Sequence, residues 1–113
     1  MAGSSEHLLR EILETQHETQ RLVHFLAHRM ARELIEVHLT KQIERRVYEL
    51  SDGLRSSRDI EKHINKQVTQ RTVVSWWQKW QKLGLVEPSR TYSGRVRKLI
   101  GLEELGLHID PNL

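Results

Sequence analysis

The residues best equipped for chemistry lie in one stretch, 69–86, which reads TQRTVVSWWQKWQKLGLV. Gln70, Arg71, Ser75, Gln78, Lys79 and Lys82 carry amide, hydroxyl and cationic groups, and Val73, Trp77 and Trp80 recur among them at helical spacing. Val74 widens that apolar face. Thr69 is the expected N-cap, since its hydroxyl can accept from a free amide of the first turn. Gly84 falls where a helix ends in a residue of positive φ. A helix that anchors two tryptophans and turns Gln, Arg, Ser and Lys outward suits contact with base edges and phosphates. An ordinary amphipathic core helix with a solvated face has the same pattern.

Catalytic chemistry has little to work with. The chain has no cysteine, so it forms no disulfide framework and no cysteine-based zinc site. It has no glycine-rich phosphate loop and no Ser–His–Asp spacing. Asp52, Asp59 and Glu61 are close in sequence, but they fall around helix ends, where capping accounts for them. His17, His24 and His28 sit at helical spacings that can hold a metal. They lie off the apolar seam and form no HExxH, which reads as a solvated helix surface. The expectation is a binding module, not an enzyme, with no metal and no cofactor.

The elements that position these groups can be read in order. From about Glu6 to His38 there is no Gly or Pro, which predicts one long helix of roughly 50 Å. Ser4 or Ser5 is its expected cap. Leu9, Ile12, Val23, Leu26, Met30 and Leu34, followed by Val37, form a coiled-coil-like seam, interrupted by Gln16 and Thr19. Leu8, Leu13, Leu22, Phe25 and Ile35 broaden it. So long a helix on so small a domain predicts a homodimer through this seam; the other possibility is that it folds back on its own domain. A second helix is expected from Thr40 to about Ser51, ended by Asp52-Gly53. A third opens at Ser56 or Ser57 with Asp59 in its first turn and Ile60 and Ile64 inside. Asn65 follows at a tight turn, and the Thr69 helix comes next. Residues 85–87 predict a short strand stopped by Pro88, 90–95 a hairpin tip, and 96–100 a return strand. Residues 102–107 suggest one helical turn, and Asp110-Pro111-Asn112 a frayed end.

Composition bounds the rest. At 113 residues the chain is one domain with an appended helix, divided at 1–39 and 40–113. No apolar run approaches the roughly 20 residues of a membrane span, and MAGSSEH has no secretory character. The expected location is cytoplasmic, with the nucleoid. The net charge is +3, distributed as −2 over residues 1–40, +8 over 41–100 and −3 over 101–113. A basic centre between acidic ends is the electrostatic footprint of a nucleic-acid module with a separate assembly arm.

Three short helices followed by a β-hairpin is the order of a winged helix, a mainly α fold. From Arg58 to Val86 the chain, RDIEKHINKQVTQRTVVSWWQKWQKLGLV, resembles winged helix-turn-helix transcriptional regulators of the broad MarR/ArsR type. The resemblance rests on Ile60 and Ile64, on Thr72-Val73 and on Leu83-Gly84-Leu85-Val86. It covers about residues 41–100 and leaves out the long N-terminal helix. Two departures stand out. Glu61 occupies a place where such motifs usually carry Ala, and the turn after it is about two residues longer than usual, with Asn65 where Gly is common. Both imply a shifted crossing of the two helices.

The resemblance implies roles residue by residue. Gln70, Arg71 and Ser75 would reach base edges from a recognition helix in the major groove. Ser57, Arg58 and Thr72 would contact the DNA backbone, with a weaker share for Lys79. Trp76 would wedge against sugar-phosphate, pack on the wing or join the core. Arg90, Tyr92, Arg95, Arg97 and Lys98 would form a basic wing that tracks phosphates or probes the minor groove. The implied function is sequence-specific binding of double-stranded DNA as a homodimer that regulates transcription. The alternative is a winged-helix adaptor that joins proteins in a larger assembly.

Overall fold

A computed structural model describes residues 2–107 and 109, with side chains from Ser5 onward; the frayed end expected at 110–112 lies outside the described residues. The chain is mainly helical. Its elements run α1 (Ala2–His38), α2 (Gln42–Leu50), α3 (Ser57–His63), α4 (Gln70–Leu83), β1 (Val86–Pro88) and β2 (Val96–Lys98). It divides into two compact units, one ending at Met30 and the other beginning at Ala31. Among the described residues no helix is long and apolar enough to cross a membrane.

In the first unit, α1 begins at Ala2, so Ser4 and Ser5 lie within the helix and do not cap it. Leu8, Leu9, Ile12, Leu13, Leu22, Val23, Phe25, Leu26 and Met30 are all exposed, from 46% at Leu26 to 61% at Met30. The hydroxyls of Thr15 and Thr19 donate back to the carbonyls of Glu11 and Thr15 at 2.8 and 2.9 Å, which satisfies them within the helix.

The second unit takes in the last turns of α1. Ala31, Ile35 and Leu39 are buried at successive steps of four. Leu34 packs half-buried against the same core, so the dimer seam expected through Leu34 gives way to internal packing at that point. The boundary of this unit thus falls inside the long helix, nine residues before the 40–113 division. The Arg45 guanidinium donates to the Leu39 carbonyl at 2.9 Å, satisfying a carbonyl at the end of α1.

Helix α2 starts at Gln42, not at Thr40. Its first turn is closed by Glu44, whose carboxylate accepts from the Lys41 amide at 3.3 Å. Val47, Tyr48 and Leu50 form its buried face. Helix α3 is capped by Ser56. The Ser56 hydroxyl accepts from the Asp59 amide at 3.1 Å, and Asp59 accepts in return from the Ser56 amide at 2.9 Å, a reciprocal capping box. Ile60 and Ile64 then meet Val73, Trp77 and Trp80 of α4 in one core.

The turn between α3 and α4 uses two residues of positive φ, Asn65 at 54° and Lys66 at 59°. Thr69 caps α4 by accepting from the Thr72 amide at 3.2 Å, and Gly84 ends it with φ 78°. The hairpin follows at once. It is antiparallel, with Val86 opposite Lys98, Glu87 opposite Arg97 and Pro88 opposite Val96. Pro88 is therefore the last residue of β1, a position where its missing N–H costs nothing in the ladder.

The segment 51–53, expected only to end α2, lines the other edge of β2. Lys98 donates to the Ser51 carbonyl at 2.8 Å, Gly53 to the Val96 carbonyl at 2.9 Å, and Asp52 bridges Arg97. Gly53 takes φ 81°, and an added Cβ there would sit 3.2 Å from the Ser89 hydroxyl. Glycine answers both the backbone conformation and the close approach. Beyond the hairpin, Leu102 and Leu105 seal the core, held by a turn in which the Leu107 amide donates to the Leu102 carbonyl at 3.0 Å.

Candidate nucleic-acid interface

The two faces of α4 are sharply different. Trp80 and Val73 are fully buried, and Trp77 nearly so. The Trp77 indole donates to the buried Ser51 hydroxyl at 2.9 Å, and Ser51 donates on to the Val47 carbonyl at 2.8 Å. Tyr48 meets Trp80 edge-on at 5.6 Å. Trp76 stacks on Trp80 at 6.0 Å and is half-buried, so of its three expected placements it joins the edge of the core. These contacts fix the rotation of the helix, which determines what it shows outward.

The outward face carries Arg71, Ser75, Gln78 and Lys82, at steps of four, three and four, all exposed. This is one stripe on a 3.6-residue helix. Lys79 flanks it on one side and Val74 on the other; Val74 is 36% exposed, so it does not widen the buried face. Arg71, Lys79 and Lys82 have no ion-pair partner among the described residues. Gln70 sits differently. It is half-buried at the side of the helix, and its amide oxygen accepts from Arg58 Nε at 3.3 Å. Gln78 holds the outward place expected of Gln70, and the spacing from Arg71 and Ser75 is the signal that locates it.

The expected backbone contacts also divide. Arg58 and Lys79 are exposed and Thr72 is half-exposed. Thr72 shares a 3.1 Å hydroxyl contact with Thr69. Ser57 is buried at 8% exposure, so its side chain is not available to a ligand. The cause is the cap: with Ser56 at the N-cap position, Ser57 becomes the first helical residue and turns toward the core.

In the hairpin most of the cations are engaged. Arg97 is paired with Glu87, its cross-strand neighbour. The Lys98 ammonium donates to the Glu49 carbonyl at 2.8 Å and lies 3.8 Å from the Glu49 carboxylate. Lys98 is therefore a brace between β2 and α2 and not a free wing cation. Arg95 donates to the Leu54 carbonyl and lies over the Tyr92 ring at 4.3 Å, a cation–π contact. Arg90 is exposed and has no ion-pair partner among the described residues.

An open cleft of about 640 Å³ is lined by Asp52, Leu54, Arg55, Asp59, Lys62 and His63. Its carboxylates are occupied. Burial pushes Asp52 up, but the Arg55 and Leu54 amides, both at 2.9 Å, and the Arg55 charge outweigh it and hold the carboxyl below its ordinary range. The Ser56 amide and hydroxyl do the same to Asp59, helped by the charges of Arg95 and Lys62. Both acids are thus anionic acceptors that shape turns. On α1 the His24 and His28 rings lie 4.2 Å apart, and among the described residues no three His, Cys, Asp or Glu side chains gather where they could hold a metal.

The chain was compared with protein-family models, with curated proteins and with solved structures, and none of them matches it.

Proposed function

We propose that this chain is a winged helix-turn-helix protein that binds double-stranded DNA as a homodimer and regulates transcription, in the cytoplasm with the nucleoid. The observation that carries the reading is the stripe of Arg71, Ser75, Gln78 and Lys82 on α4, exposed and opposite a tryptophan-anchored face. Helix α4 would enter the major groove. Arg71 suits guanine and Gln78 adenine, Ser75 suits either, and Val74 suits a thymine methyl. Arg58 and Lys79 would hold phosphates, and Arg90 would extend the contact from the hairpin as a wing. The exposed apolar stripe of α1 supports self-association.

The second reading, a protein–protein adaptor, draws on two observations. The hairpin neutralises much of its own charge through Arg97–Glu87 and Lys98–Glu49, and the α1 stripe would fit a partner helix as well. The test is titration of the full chain into labelled random-sequence duplex DNA at two salt concentrations, beside Arg71→Ala. A DNA reader binds more weakly as salt rises, and Arg71→Ala weakens that binding; on a sequence selected from the pool the loss at Arg71 grows to about 1–3 kcal/mol. An adaptor binds no duplex even at low salt.

A further inference from the structure

We propose that α1 pairs with α1 of a second copy in antiparallel order, with Leu9 facing Leu26, Ile12 facing Val23 and Gln16 facing Thr19. The inference rests on the homodimer reading and adds its orientation and register. Three observations on the first unit converge on it.

The first is exposure. The stripe from Leu8 to Met30 extends along about 33 Å of helix and none of its large apolar residues is covered. It is far longer and more continuous than the scattered apolar residues a soluble surface tolerates.

The second is charge. Residues 2–18 carry four glutamates and one arginine, a net −3, whereas 19–30 carry Arg21 and Arg29 and no acid, a net +2. A parallel pair sets −3 beside −3 and +2 beside +2. An antiparallel pair sets each acidic half beside a basic one, which exchanges repulsion between the copies for attraction at low ionic strength. The charge of the two halves therefore favours a second copy of this chain in reversed order.

The third is the seam. Its positions, 9, 12, 16, 19, 23 and 26, alternate by three and four. Reversed about the midpoint between residues 17 and 18, each apolar position among these six meets an apolar one and the two polar positions meet each other, while Met30 falls opposite Ser5 at the end of the pair. A shift of one heptad either way sets Gln16 and Thr19 against apolar residues. The Thr19 hydroxyl already donates to its own helix and keeps acceptor capacity for the Gln16 amide of the second copy.

The chain has no cysteine, so Glu6→Cys carries a single spin label on the full-length protein. The antiparallel pair separates the two labels by about 35 Å along the helices, whereas a parallel pair holds them within about 20 Å. A distance near 35 Å with a dimer in sedimentation equilibrium supports the proposal. A short distance overturns the orientation and leaves the homodimer standing. A monomer at every concentration overturns both and leaves the DNA reading to its own test. Arg21→Gln/Arg29→Gln, which neutralises the basic half, gives an independent sign. At low salt it should weaken an antiparallel dimer severalfold, with high salt narrowing the gap, and it should tighten a parallel one by removing +2 beside +2. Helical content by circular dichroism shows whether the variant still folds.

Discussion

The Tyr48 hydroxyl lies 2.8 Å from the carbonyl oxygen of Ile100 and 3.1 Å from that of Leu85. A single phenolic proton thus ties α2 to both arms of the chain that bracket the hairpin. The ring is fully buried. Burial pushes its pKa up to about 12, and the negative charges of Glu49 and Glu104 act in the same direction. A native pKa above the ordinary 10.0 fixes the sign. Below pH 10 both states hold the proton and its contribution is complete. Between 10 and 12 the unfolded chain releases the proton and the native chain keeps it, so stability falls by about 2–3 kcal/mol across that window. Tyr48→Phe should abolish this part of the alkaline loss. At neutral pH it should cost about 1–2 kcal/mol, because the Ile100 carbonyl loses its donor. Urea midpoints at neutral pH and across pH 9–12 for both proteins measure the two effects.

Ser51 and Trp77 form the second buried polar link, and it holds the inner face of α4. Replacing Ser51 with Ala leaves the Trp77 indole N–H with nothing to donate to, at a cost of about 1–3 kcal/mol. The expected result is a lower urea midpoint with an unchanged slope. A neutral outcome would mean that the indole finds water there, as Trp80 Nε1, buried and without a partner among the described residues, would also have to.

Lys66 holds φ 59° in the turn before α4. A side chain with a Cβ adopts that conformation at a cost of about 1–2 kcal/mol, and Lys66 is exposed, so burial of its side chain does not offset it. Lys66→Gly removes the strain but adds freedom to the unfolded chain. The net expectation is a gain of about 0.5–1 kcal/mol in stability by urea unfolding. The same change at Asn65 should gain less, since Asn tolerates the left-handed region.

The turn also shows what the sequence could reveal. Thr69, Gly84, Asn65 and the apolar spacing of α3 and α4 are local signals, and local signals were enough to place those helices. Lys66 gives none, because nothing in a lysine announces a positive φ. The pairing of residues 51–53 with β2 joins segments more than forty residues apart, and an Asp-Gly pair looks the same whether it ends a helix or lines a strand. Leu34 continued the seam by spacing alone, yet the compact unit begins at Ala31 and claims it. On the candidate interface, Arg71 and Ser75 were legible from their place on the helix. Gln70 was misplaced because its position at the flank depends on how the tryptophans rotate α4. Lys98 read as a wing cation because its acceptor, Glu49, lies far back in the chain.

That last distinction separates two lysines and an arginine of equal formal charge. Among the described residues Lys82 and Arg90 are exposed without an ion-pair partner, whereas Lys98 is held by Glu49. If the chain binds duplex DNA as proposed, Arg90→Ala and Lys82→Ala should each lower the slope of log affinity against log salt by about 1 if they neutralise a phosphate, with little effect on folding. Lys98→Ala should leave that slope unchanged and instead lower the unfolding midpoint, because it removes the donor to the Glu49 carbonyl. A Lys98 variant that loses salt dependence while keeping its stability would show that the ammonium leaves Glu49 to meet a phosphate, and the hairpin would then act with more of its charge than the unbound chain displays.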